Sequence, residues 1–215
     1  MSAKKQTVND IAVGATMVLG LALGIGIFFV LPQLIVGTLK GWVHHPILLN
    51  LLVGVVKLTL FVTYLAAISM MKDIRRVFEY HGAEHKVINT FEADLELIPE
   101  NFAKHTPIHP RCGTSFILVV LVISIIAFCF LGWSDAWYER VFYRLLLLPI
   151  VAGIAYEVIR FAGRHKDSKV LKVLLSPGLW LQRLTTRPPS DEQVEVALAA
   201  LNAVIEKEKE VPANS

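Results

Sequence analysis

Apolar and polar positions alternate along this chain in long blocks, and four blocks are nearly free of charge. A helix needs about 20 apolar residues to cross a hydrocarbon core, because the backbone must satisfy its own hydrogen bonds there. Spans are therefore predicted at residues 11–36, 46–71, 114–131 and 141–159. The first carries Gly14, Gly20, Gly24 and Gly26, which permit close helix packing, and Pro32 near its exit. It is too long for the apolar core of a cleavable signal and is expected to be a retained anchor. The second contains Asn50, Lys57 and Tyr64, the third only Ser124, and the fourth Arg144, Pro149 and Glu157.

The polar segments set the orientation. Lys4 and Lys5 precede the first span, Lys72, Arg75, Arg76, Lys104 and Arg111 lie between the second and third, and Arg160, Arg164, Lys166 and Lys169 follow the fourth. The connections near Lys40 and Arg140 are poor in positive charge, so both termini and the loop 72–113 are expected on the cytoplasmic side. Residues 160–187 continue as an interfacial segment in which Leu, Val and Trp180 mix with Lys172 and Arg183, and Pro177-Gly178 is expected to break it. After Pro188-Pro189, Ser190 opens a capping box with Gln193, so a helix should start there. Val194, Ala197, Leu198, Leu201, Val204 and Ile205 give it one apolar stripe, to be docked on the loop, on a partner chain or on another copy. The predicted fold is all-α. It is a polytopic membrane bundle of about four transmembrane helices over residues 1–187 with a cytoplasmic His-rich loop, followed by a cytoplasmic amphipathic helix and tail over 188–215.

Composition agrees with a membrane class: 54% of the 215 residues are hydrophobic and 18% charged, with mean hydropathy +0.56. The net charge of +3 collects beside the apolar runs, which favours anionic headgroups over nucleic acid, for which no motif is present. Cys112 and Cys129 are poorly placed for a disulfide and fit a reducing compartment.

Candidate chemistry lies in the loop. In a helix, His81 and His85 project from one face and can share a metal ion. The order His81-x-x-Glu84-His85 is that of inverted zinc peptidases, where the motif glutamate acts on water. A second polar cluster supplies His105, His109, Arg111 and Cys112 just before the third span, and the fourth ends in Glu157 and Arg160. Convergence of His81, His85, His109, Cys112 and Glu157 at one membrane depth would make a zinc site. Glu84 would be its base, and Arg111 and Arg160 would hold a phosphate or carboxylate of the substrate. The competing view is that the histidines are polar residues on a loop helix and the arginines orientation anchors. Lys57 and Arg144 within spans are expected to snorkel or to pair with a carboxylate.

At these motifs the chain resembles the YqhQ-like family of bacterial membrane proteins, an uncharacterised family described as predicted metal-dependent enzymes. The resemblance rests on residues 80–86, on 109–116, on Arg144 through Pro149 with Ala152, Gly153, Tyr156 and Glu157, and on 177–187. It implies a bacterial inner (cytoplasmic) membrane location. Family members carry a polar, glycine-containing segment ahead of the first span, whereas this chain enters that span almost at once. The expected function is a membrane-embedded, metal-dependent and hydrolytic enzyme acting at the cytoplasmic interface on a lipid, a lipid-linked intermediate or a membrane-protein segment. The alternative is a non-enzymatic scaffold or assembly factor that binds protein partners, for instance at the C-terminal helix, or lipid. Homo-oligomerisation stays open under either.

Overall fold

A computed structural model describes residues 3–165 and 168–210, with side chains from residue 11 onward except those of 169, 172, 174 and 210. Of the charges that set the expected orientation, Lys4, Lys5, Lys166 and Lys169 fall outside the described side chains, and the tail 211–215 lies outside the description altogether. Among the described residues all regular structure is helical: α1 Ala3–Ile25, a π-helical turn Gly26–Val30, α2 Leu31–Gly37, α3 Pro46–Ser69, α4 Lys72–Glu92, α5 Pro99–Lys104, α6 Gly113–Cys129, α7 Trp137–Arg164, α8 Lys169–Thr185 and α9 Asp191–Glu210.

Three of these helical stretches are long and apolar enough to cross a membrane: Ile11–Gly37, Pro46–Ser69 and Trp137–Arg164. Four were expected. The third predicted span is the 17-residue α6, which rises about 26 Å against a core of about 30 Å. It stops because the chain turns at Gly132, whose φ of +70° suits glycine. The loop between α3 and α6 is itself largely helical, as α4 and α5.

The chain divides into two compact units, Met1–Phe61 with Val120–Ile154, and Val62–Val119 with Ala155–Ser215. In the first, Pro32 sits just after the π-helical turn, where the Leu31 N–H reaches back to the Gly26 carbonyl. Widening the helix there accommodates the proline ring without breaking the rod. Val36, Leu49 and Val53 are its buried apolar core, packed by Val43, Leu52, Val56 and Trp133. Gly54 lets α3 approach Ile125 of α6 so closely that a Cβ would clash with that side chain.

In the second unit the C-terminal helix docks on the loop helices. Ala83, Val87, Phe102 and Ala197 are buried together under Leu97, Val194, Leu198 and Leu201. The capping box forms as its sequence predicts: the Ser190 N–H donates to Gln193 Oε1 (2.9 Å) and the Gln193 N–H to Ser190 Oγ (3.4 Å). The expected break at Pro177-Gly178 is absent, and α8 runs through both residues. Pro177 lacks the N–H that Val173 would receive, and the Ser176 hydroxyl donates to that carbonyl instead at 2.7 Å. Gly178 is the contact with α6, since a Cβ there would meet Ser115 Oγ at 3.0 Å.

Candidate metal centre

The second unit's polar cluster is built on α4. His81 and His85, one turn apart, have ring centroids 4.3 Å apart. Gly82 between them has no side chain to keep the 185–187 segment away, and a Cβ there would overlap the Arg187 carbonyl oxygen. That close crossing, fixed by the Arg187 N–H donating to the Phe78 carbonyl (2.9 Å), brings the Thr185 carbonyl within 2.8 Å of His81 Nδ1. On the next turn His85 Nδ1 lies 2.8 Å from the Pro107 carbonyl. Asn89 holds the 106–108 segment in place by donating to the Thr106 and Ile108 carbonyls at 3.0 and 3.1 Å.

A carbonyl only accepts, so each Nδ1 carries a proton, and His81 Nε2 offers Cys112 a lone pair when the ring is neutral and an N–H when the ring is protonated. Both rings border Cys112. Its sulfur is 3.1 Å from His81 Nε2, and the ligand atoms of His81, His85 and Cys112 all lie within 4.8 Å of one another. Cys112 immediately precedes α6, at the positive end of that helix, where a thiolate is favoured. Burial alone would push its thiol up, but hydrogen bonds from His81, His85 and Thr114 outweigh burial and bring it down to about 5. The bond to Cys112 conversely raises His81 against the effect of burial, helped by Thr185 and the nearby Glu84 carboxylate.

Behind the cluster, Gln182 is fully buried. It accepts from the His109 N–H (2.9 Å) and donates to the His109 carbonyl and to Ser115 Oγ, both at 2.7 Å. One carboxamide thereby fixes the segment leading into Cys112 to both α8 and α6. His109, expected as a ligand, is turned away: Nε2 bonds Glu92 (3.1 Å) and Nδ1 accepts from the Arg111 N–H (3.2 Å). Burial pushes its pKa down, with Glu92 opposing.

Arg111 also pairs with Glu92, and its stem crosses Gly163, where a Cβ would stand 3.1 Å from Arg111 Cδ. Glu157, the other expected ligand, is exposed on α7 and pairs with Arg160 at 3.3 Å. Glu84 is exposed on α4, beside His85 in sequence. The structure thus joins His81, His85 and Cys112 of the expected set and leaves His109 and Glu157 out of the group. Gln182, Asn89 and the Thr185 and Pro107 carbonyls were not singled out by sequence reasoning. A helical wheel cannot show which distant carbonyl will face a histidine.

A helical chain with three spanning-length segments and a His-His-Cys cluster, half-buried at His81 and buried at His85 and Cys112, defines the class. The chain belongs to the family described as Protein of unknown function (DUF1385), matched over residues 1–207. Over 152 residues, 71% of the chain, it is 43% identical to the Uncharacterized protein YqhQ of Bacillus subtilis (strain 168), and it spans about half of that relative's length (48%). A 74-residue stretch, 34% of the chain, is 30% identical to 8% of Respiratory burst oxidase homolog protein E of Arabidopsis thaliana. No solved structure matches the chain.

Proposed function

We propose that this chain is a membrane-embedded, metal-dependent hydrolase that holds a zinc ion on His81 Nε2, His85 Nε2 and Cys112 Sγ. One observation carries it: both histidines give Nδ1–H to backbone carbonyls, the arrangement that orients and enriches a metal-ligating imidazole, and a ligand atom of each lies within 4.8 Å of the other and of one sulfur. Two nitrogens and a soft thiolate suit zinc, and three protein ligands leave a fourth position open. Zinc held in this way supplies Lewis acidity and a water activated near neutral pH. The chain's own residues would do the rest. Glu84 on the exposed side of α4 would take the proton from water, and Arg111 and Arg160 would hold an anionic group of a lipid, a lipid-linked intermediate or a membrane-protein segment.

The same proposal has α6 as a fourth, short span, the cluster at the cytoplasmic face of a bacterial inner membrane, and α8 on the membrane surface. Exposed Val170, Val173 and Trp180 beside Arg183 suit an interfacial helix. A scaffold that binds protein partners or lipid is the second reading, and the satisfied network around Gln182 is what supports it, since such networks also serve structure alone. Val194, Ala197, Leu198 and Leu201 of the α9 stripe are taken up by the loop helices, and Val204 at its far end stays exposed.

Metal analysis of the purified protein beside a His81→Ala, His85→Ala double variant is the test. About one zinc per chain in the former and none in the latter is expected, and equal, near-zero metal in both removes the enzyme proposal. A folded, zinc-free His81→Ala protein that keeps its biological function would favour the scaffold.

A further inference from the structure

The first unit buries cations that the metal centre does not use. Lys57, Arg140 and Arg144 are 6%, 8% and 4% exposed, and a buried charge is costly unless something neutralises it. Their hydrogen-bond and ring partners are not carboxylates, and the one acid that attracts Arg140 through space, Asp135, is itself exposed and bound to Lys40. Lys57 Nζ stands 4.0 Å from the Phe29 ring centroid and 5.8 Å from that of Phe128. Arg140 donates to Gln33 Oε1 (3.0 Å) and to the Ser134 and Asp135 carbonyls (2.5 and 3.2 Å), and it lies over Trp133. Arg144 donates to Asn50 Oδ1 and lies over Phe128. The acids of the adjoining turn are exposed and engaged, Asp135 with Lys40 and Glu139 with the Ser134 hydroxyl.

A cavity of about 70 Å³ opens among Asn50, Gly132, Ser134, Arg140, Tyr143 and Arg144, with no acidic residue in its wall. That is several times the roughly 15 Å³ a single water needs, room for a group of a few heavy atoms such as one small oxyanion. We propose that this pocket binds a phosphate group, with the Arg144 and Arg140 guanidiniums supplying charge and the Asn50 carboxamide fixing the Arg144 fork. Guanidinium is the side chain best matched to phosphate oxygens, and a resident anion would neutralise the buried cations. A phospholipid headgroup and a free phosphate ion share this chemistry.

The full chain in a phosphate-free maltoside detergent separates the two sources. Inorganic phosphate and a short-chain phosphatidylglycerol are titrated separately, each against sodium chloride at matched ionic strength, with thermal stability and retained ligand by native mass spectrometry as readouts. The wild-type protein is expected to bind and to be stabilised by at least one of them. Asn50→Asp, which sets a carboxylate against Arg144, and Arg144→Gln are each expected to weaken binding about tenfold or more. A response to lipid alone assigns the headgroup, and a response to inorganic phosphate assigns the free ion. Wild-type protein that responds to neither beyond the chloride control overturns the proposal, as does a folded Asn50→Asp or Arg144→Gln variant that binds like wild type.

Discussion

His81 Nε2 lies 3.1 Å from the Cys112 sulfur, although 31 positions separate the two residues. A histidine in the middle of α4 and a thiol at the start of α6 are thereby made into one chemical unit, and the backbone carbonyl of Thr185 behind His81 fixes which nitrogen faces the sulfur.

Metal content should follow that geometry. Cys112→Ala is expected to lose bound zinc almost completely, while Glu157→Gln keeps the wild-type amount because its carboxylate pairs with Arg160 at the surface. Elemental analysis of the two proteins, purified alike, checks this. Zinc loss in Glu157→Gln with retention in Cys112→Ala would move the site away from the cluster.

In metal-free protein the Cys112 thiolate should persist down to about pH 5, against 9.0 for a free thiol. A folded value below the unfolded one stabilises fully above pH 9.0, progressively less as the pH falls, and not at all below about 5. His81 runs the other way. Its raised value stabilises fully below about 6.5 and ceases to do so as the pH rises through the folded value. Ultraviolet thiolate absorbance should titrate near 5, vanish in Cys112→Ser, and shift upward in His81→Gln. An acid midpoint unchanged in His81→Gln would break the link between the two groups.

Gly82→Ala should be destabilising by about 2–3 kcal/mol or more, since its Cβ overlaps backbone that cannot swing aside as a side chain could. Gly153→Ala, where nothing lies within 4 Å, should be nearly neutral. Denaturant melts of the two variants in the same detergent provide the comparison, and equal stabilities would mean that the 185–187 segment does not cross α4 so tightly.

Replacing Gln182 with Leu leaves the His109 N–H and carbonyl without their partner, at an expected cost of about 2–4 kcal/mol. Zinc affinity should fall with stability, because the segment carrying Cys112 is loosened. Ser190→Ala, which removes only the cap of α9, should cost about 1 kcal/mol and leave zinc binding alone. Thermal melts beside zinc titrations distinguish the two effects.

Local physics made much of this protein readable before any coordinates. The helical class, the long apolar segments and the Ser190 cap follow from hydrophobic block length and from bonds between near neighbours, which sequence spacing fixes directly. The pairing of His81 with His85 is of that kind, because the pitch of one helix sets it. Pro177 shows the limit: proline and glycine together mark a break, yet Ser176 and the contact with Ser115 keep α8 continuous. Which third group joins the histidines was a tertiary decision. Both nitrogens of His109 were taken by Glu92 and the Arg111 N–H, Glu157 faced outward, and the close crossing at Gly82 with the Gln182 anchor delivered Cys112 instead. Contacts between segments distant along the chain depend on how closely backbones approach, and residue types at single positions do not encode that until the helices are packed.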